Sequence, residues 1–346
     1  MRLKPLNTFS VRYEVLRGAA AFSEIYCADD SAEVQFAESS ELAMSLRGSF
    51  FAPPAGVDFL TDRIRPVVIL NGEEYPCGVY CITTEREITE DGCELHVLEG
   101  YSPLYLAKRT KIEERITIPK GENYITRITA LLRQCGIDAI AAESTEYTFS
   151  ADRSDWEIGT SVLKIVNTLL GEINFRNAWA DLNGTVRLTA YREPTAADVR
   201  RTYAAGEYSV IETGYTRTVD RYEKANVFRV ECDSPDLEEP MAAISVNDSP
   251  DSPFSVSKIG RILKVVKVDG VPSQEALQAH ADRLRNDNLK TTENADISIA
   301  PIPECDAYDV VGMASGNLTG LYTVTGWRLP LSPGASMVQK IRRVYA

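Results

Sequence analysis

The chain has 346 residues, 44% of them apolar and 25% charged, which suits folded domains with hydrophobic cores and excludes a disordered or collagen-like chain. No apolar run approaches the roughly 20 residues of a membrane-crossing helix, and Met1-Arg2-Leu3-Lys4 leads into no secretory segment, so cytoplasmic synthesis is expected. Fifty acidic residues against 37 basic give a net charge of −13, which opposes stable binding to nucleic acid; the basic pairs Lys108-Arg109, Arg200-Arg201 and Arg342-Arg343 read as solvated surface.

The first ~60 residues mix short extended pieces with a loop at Pro53-Pro54-Ala55-Gly56. Arg65-Pro66 then introduces Val67-Val68-Ile69-Leu70, an apolar run too short for a helix and predicted as a buried strand. Asn71-Gly72 follows at once, a hairpin signal because both turn positions need positive φ. The return strand is placed at Gly78 to Thr84, and a second turn at Glu90-Asp91-Gly92 leads into Cys93-Glu94-Leu95-His96-Val97. Alternation there assigns Cys93, Leu95 and Val97 to the buried face.

After about residue 105 the period changes. Ile125, Ile128, Leu131 and Leu132 carry helical spacing over Tyr124 to Gln134, with Gly136 as the stop. A second helix is predicted from Thr160 to Leu170, ended by Gly171, followed by a hairpin that turns at Asn183-Gly184. From about Arg200 β-character returns, with strands at Val227 to Glu231 and Ile262 to Val268 around an exposed turn-rich loop, residues 247–253. Ser273 caps a helix to about Asn286 whose buried stripe is Leu277, Ala281 and Leu284. Strands at Asp309 to Met313, Leu321 to Leu329 and Val338 to Tyr345 close the chain. Asp62 to Gly100 and the stretch from Ala307 onward share one grammar of short strands and tight turns, which reads as a repeated β-module. The expected class is α+β, mainly β, with units at 1–105, 106–199 and 200–346.

Residues that carry chemistry are sparse. The seven cysteines have no zinc-ribbon spacing; Cys77 and Cys81, four apart, are assigned to one side of a strand, and buried free thiols are expected. The two histidines, His96 and His280, read as exposed strand and helix residues, with His96 facing away from Cys93. The acids of Asp152-Arg153-Ser154-Asp155-Trp156-Glu157 read as a solvated loop leading into a helix, without the spacing of a calcium loop. Gly312-Met313-Ala314-Ser315-Gly316 lacks the lysine of a phosphate-binding loop and reads as a strand-to-turn connection. Trp156, Trp179 and Trp327 are expected as core or interface anchors, and Arg63, Arg65 and Trp327 are the candidates for subunit contact. No metal or cofactor is implied.

Four ordered segments resemble phage tail baseplate hub proteins: Thr61 to Pro66 before the Asn71-Gly72 hairpin, Gly159 to Asn167 with Gly171 to Phe175, Ser252 to Ser255 with Ile259 to Arg261, and Leu329 to Met337 with Lys340 to Val344. The resemblance implies two tail-tube-like antiparallel β-barrel domains with a small α/β domain between them. It implies a homotrimer in the virion tail, made in the cytoplasm of a bacterial host. The tail tube or distal tail protein would sit on one face, and the spike, tail fibre or tape-measure protein on the other. No enzymatic activity is expected; the alternatives are a tail-associated cell-wall hydrolase and a carbohydrate- or receptor-binding tail module.

Overall fold

The computed structural model describes residues 8–90, 92–206, 209–220, 222, 224–232, 240–250, 252–268, 271–290 and 293–344. The N-terminal part is all strand: β1 (Phe9–Arg17), β2 (Ala20–Ile25), β3 (Glu33–Ala37), β4 (Met44–Phe51), β5 (Arg63–Leu70), β6 (Glu73–Pro76), β7 (Tyr80–Glu90) and β8 (Cys93–Tyr101). The middle carries α1 (Leu104–Arg109), α2 (Tyr124–Gln134), β9 (Ile140–Ala142), α3 (Val162–Glu172), β10 (Trp179–Ala180) and β11 (Val186–Leu188). There follow β12 (Val199–Ala204), β13 (Ile211–Val219), β14 (Val227–Cys232), β15 (Met241–Val246), α4 (Val256–Ile259), β16 (Leu263–Val268) and α5 (Gln274–Lys290). The chain closes with β17 (Glu293–Ile299), β18 (Val310–Ser315), β19 (Leu318–Pro330) and β20 (Met337–Arg343). The class is α+β and mostly β, as expected.

Strands from both ends of the chain form one 14-stranded sheet, in the order β13-β17-β20-β19-β3-β4-β8-β7-β5-β1-β2, with β18 and then β12 added at β19 and β6 at β5. Its ladders are antiparallel except β12 on β18. The join between the two ends is β19 on β3, in register from Gly326↔Ala37 to Pro330↔Glu33. Beneath it lies a single core, built from Val15, Val34, Leu46, Phe50, Ile64 and Leu98 on one side and Ile297, Tyr322, Val324 and Ile341 on the other. Burial of these side chains is the main force holding the halves together, at ~1.5–3 kcal/mol for each large apolar group.

A second core belongs to the middle segment, where Leu104, Ile128, Leu132, Leu163, Val166 and Leu170 interlock. Asn123 Oδ1 accepts the amides of Ile125 and Thr126 to start α2, and Gly136 ends it at φ 81°. Ser161 starts α3 by accepting from the Lys164 amide. Gly171 does not end that helix; it continues to Glu172, and Asn174 takes the left-handed turn at φ 55°. A third, small core packs α5 on the sheet β15-β14-β16 through Val230, Cys232, Ala243, Leu277 and Ala281.

The Asn71-Gly72 turn forms with φ 54° and 86°. Its two-residue loop pairs Leu70 with Glu73 directly, so the return strand is β6; β7 starts only at Tyr80 and meets β5 at Ile64. On β8 the phase is the reverse of the expected one. His96, Leu98 and Gly100 point inward, Leu95 and Val97 are half-buried, and Cys93 is exposed, because register pairs His96 with the buried Phe50 of β4 and Leu95 with the exposed Phe51. Cys77 and Cys81 part company too, Cys77 joining the large core and Cys81 the middle one. The 247–253 segment is turn-rich but not exposed throughout: Asn247 and Ser252 are buried and bonded to each other at 2.8 Å, while Asp251 lies outside the described residues. Asn226, fully buried, holds this loop by donating to the Phe254 and Gly260 carbonyls.

Candidate assembly surfaces

The three residues singled out for subunit contact do not converge. Arg63 and Arg65 are half-buried on β5, Arg65 donating to Glu14 at 2.6 Å. Trp327 sits on β19, separated from β5 in the sheet by β3, β4, β8 and β7. It is 3% exposed and packs on Phe36, ring centroids 6.2 Å apart. A groove of about 550 Å³ follows the β3–β19 seam, lined by Phe36, Glu38, Trp327, Arg328 and Arg342. The buried Trp327 Nε1 and Arg342 Nε have no hydrogen-bond partner among the described residues.

The basic pairs are not simply solvated. Arg200 binds Asp309 at 3.0 Å, Arg342 binds Glu38 at 2.9 Å, and Lys108 binds Glu41 at 2.9 Å. Arg201 pairs with Glu304, and Arg343 joins Arg217 and the Tyr322 hydroxyl on Glu293. Burial disfavours the Glu293 charge, but these three donors outweigh it and hold the carboxyl down at about 2.

A more exposed surface is the outer face of the small sheet. Arg229 and Glu231 on β14 turn away from α5, flanked in register by Ile244 and Ala242 on β15 and by Val265 and Lys267 on β16, while Val227 at the end of the same row is buried. Ile244, Leu263 and Val265 are 48%, 59% and 49% exposed. Among the described residues β16 is also an edge, pairing only with β14. Between Ser252 and Val268 stand Lys258, Arg261, Lys264 and Lys267 with no acid among them, a local basic apolar strip on an acidic chain. The sequence hint was the run Ile262 to Val268, whose apolar residues do not all belong to a core.

Sequence candidates for catalysis find ordinary places. His96 is buried, not exposed, with both ring nitrogens on carboxylates of its own hairpin. His280 is half-buried on α5, where burial and Arg283 push its imidazole below the usual value. In the 152–157 loop the acids are exposed as expected, but Arg153 reaches inward to Glu172 and Trp156 joins the middle core. Gly316, at φ 57°, makes the turn after β18.

The Asp306 carboxyl is held against its charge. Burial, offset in part by the Ala307 amide and reinforced by Asp309, pushes Asp306 up to about 6. A folded-state value above the unfolded one means this group favours folding more as pH falls through about 6, with no further gain below about 4. Asp306→Asn is therefore expected to stabilise the protein at pH ~8 by about 1–3 kcal/mol, the gain fading at acid pH. Denaturant titrations at the two pH values check this, and an equal effect at both contradicts it.

No protein-family model matches the sequence, and no curated protein is significantly similar to it. Solved structures do match. A tail protein from Neisseria meningitidis MC58 superposes with a TM-score of 0.67 at 14% identity, covering 96% of this chain and 97% of that one. The 43 kDa tail protein of prophage MuSo2 from Shewanella oneidensis gives 0.66 at 10% identity over 97% and 98%. Prophage tail protein gp18 from Listeria monocytogenes EGD-e gives 0.59 at 11% identity over 96% and 94%. Almost end to end, this chain has the fold of those tail proteins.

Proposed function

We propose that three copies of this chain form the baseplate or tail-tip hub of a phage or phage-like tail. The observation that supports this is the fold shared over nearly the full length of both partners with proteins described as tail proteins. In this reading residues 1–105 and 200–346 supply two tube-like barrels per subunit and residues 106–199 the α/β domain. Three subunits then present six barrels to a six-fold tube, while the opposite side keeps three-fold symmetry for a spike, fibre or tape-measure protein. A six-fold tube can end on a three-fold tip only through a part that satisfies both symmetries. Arg63 and Arg65 act at the subunit contacts, and Trp327 supports the seam groove as a landing site for a neighbouring subunit. The role is structural.

Light scattering of the purified chain is expected to give about 115 kDa, three times 38.3 kDa. If the chain is a monomer both in solution and when cross-linked within intact tails, the hub reading is wrong.

A further inference from the structure

The β7–β8 hairpin gathers polar groups that neither the core nor the assembly reading uses. Across the sheet, His96 stands between Phe50 of β4 and Glu87 of β7. Phe50 is fully buried, His96 is 5% exposed and Glu87 is exposed, so this row of side chains runs from core to solvent. Glu85, two residues from Glu87 on the same strand, shares that face. One ligand atom from each of Glu85, Glu87 and His96 lies within 4.8 Å of the other two.

Two observations go beyond proximity. First, the buried imidazole has Nδ1 2.6 Å from Glu85 Oε1 and Nε2 3.1 Å from Glu94 Oε1. With Nε2–H donated to Glu94, Nδ1 can offer its lone pair to a cation that Glu85 and Glu87 also reach. Second, among the described residues no lysine or arginine forms an ion pair with Glu85, Glu87 or Glu94. Three acids crowd one histidine without a basic side chain to offset them, on a chain where other acids are repeatedly matched with arginine.

We propose that this hairpin binds a divalent first-row transition cation, of the zinc or manganese class, through His96 Nδ1 and the carboxylates of Glu85 and Glu87. Glu94 accepts a hydrogen bond from Nε2–H and fixes the ring, as carboxylates behind metal-bound histidines do. Water completes the coordination. The imidazole nitrogen favours such a cation over calcium or magnesium, which prefer all-oxygen sites. The bound ion ties β7 to β8 where both strands have run beyond the core. This inference rests on the hairpin geometry alone and stands or falls separately from the hub reading.

The test uses the full chain, stripped with a chelator and then titrated with MnCl2, ZnCl2 or MgCl2. Zinc or manganese at ~100-fold above its Kd is expected to raise the thermal midpoint by roughly 5 °C, and magnesium at the same concentration to leave it in place. Free manganese counted by paramagnetic resonance should show one site per chain. Glu87→Gln, at an exposed position, should keep the metal-free midpoint and weaken binding more than ~10-fold. Cys93→Ser, on the opposite face of β8, should change neither. No shift with either transition metal, a shift untouched by Glu87→Gln, or one abolished by Cys93→Ser overturns the assignment.

Discussion

Replacing Phe36 with alanine is expected to lower the free energy of unfolding by about 3–5 kcal/mol, among the largest effects of any single truncation in the chain. Phe36 is 1% exposed and pairs directly with Trp327 across the β3–β19 ladder. Its ring meets Tyr308 edge-on at 5.5 Å and leans on Trp327 at 6.2 Å. Removing it opens a cavity at the join between the N-terminal and C-terminal strands, where the surrounding rings are too rigid to collapse into the space. The ion pairs Arg342–Glu38 and Arg328–Glu33 flank the same join but are partly exposed, so they offset little of the loss. Denaturant unfolding followed by tryptophan fluorescence measures the change. A loss under about 1 kcal/mol would show that the two halves do not depend on this seam.

Arg153→Ala is the second large effect, about 3–5 kcal/mol, and its reason is electrostatic. Glu172, at the end of α3, is buried and accepts from Arg153 at 2.5 Å and from the Tyr124 hydroxyl at 2.9 Å. Burial pushes the Glu172 carboxyl above its usual value even with the arginine beside it. Without Arg153 the carboxylate is left buried and uncompensated, which costs more than the pair itself contributes. The sign of the pH dependence follows. A carboxyl raised in the folded state favours folding when protonated, so the deficit of the variant should shrink as pH falls from ~8 to ~5. A deficit independent of pH would mean that the loss comes from the contact of the Arg153 guanidinium with Trp156, whose ring centroid lies 5.0 Å from it. Pairing Arg153→Met with Glu172→Leu removes both charges and should restore most of the stability.

What was legible in the sequence was local. Asn71-Gly72 specified its turn, the spacing of Ile128, Leu131 and Leu132 marked the buried face of α2, and Leu277 and Ala281 marked the buried side of α5. What escaped was set by distant neighbours. Strands β12 and β13 are polar, with Arg200-Arg201-Thr202 and Thr216-Arg217-Thr218, and only their ladders to β18 and β17 make them strands. The small sheet split off from the C-terminal strands because Val227 to Val268 finds its partners within itself and α5. His96 read as exposed because alternation, with Cys93, Leu95 and Val97 taken as the buried face, put it on the solvent side. Yet the turn at Glu90-Asp91-Gly92 already placed residue 87 opposite residue 96, and following that ladder would have brought Glu87 to the histidine.

The pairing of Phe36 with Trp327 closes about 290 residues of chain, and that separation bears on how the molecule is made. At roughly 5–20 residues per second, a ribosome needs about 15–60 s to deliver the second strand after the first. Throughout that interval the free edge of β3 has open amides and carbonyls, the kind of border that recruits strands from neighbouring nascent chains. Slow maturation and a need for chaperone shielding during synthesis follow from this one long-range ladder, whatever the finished protein does.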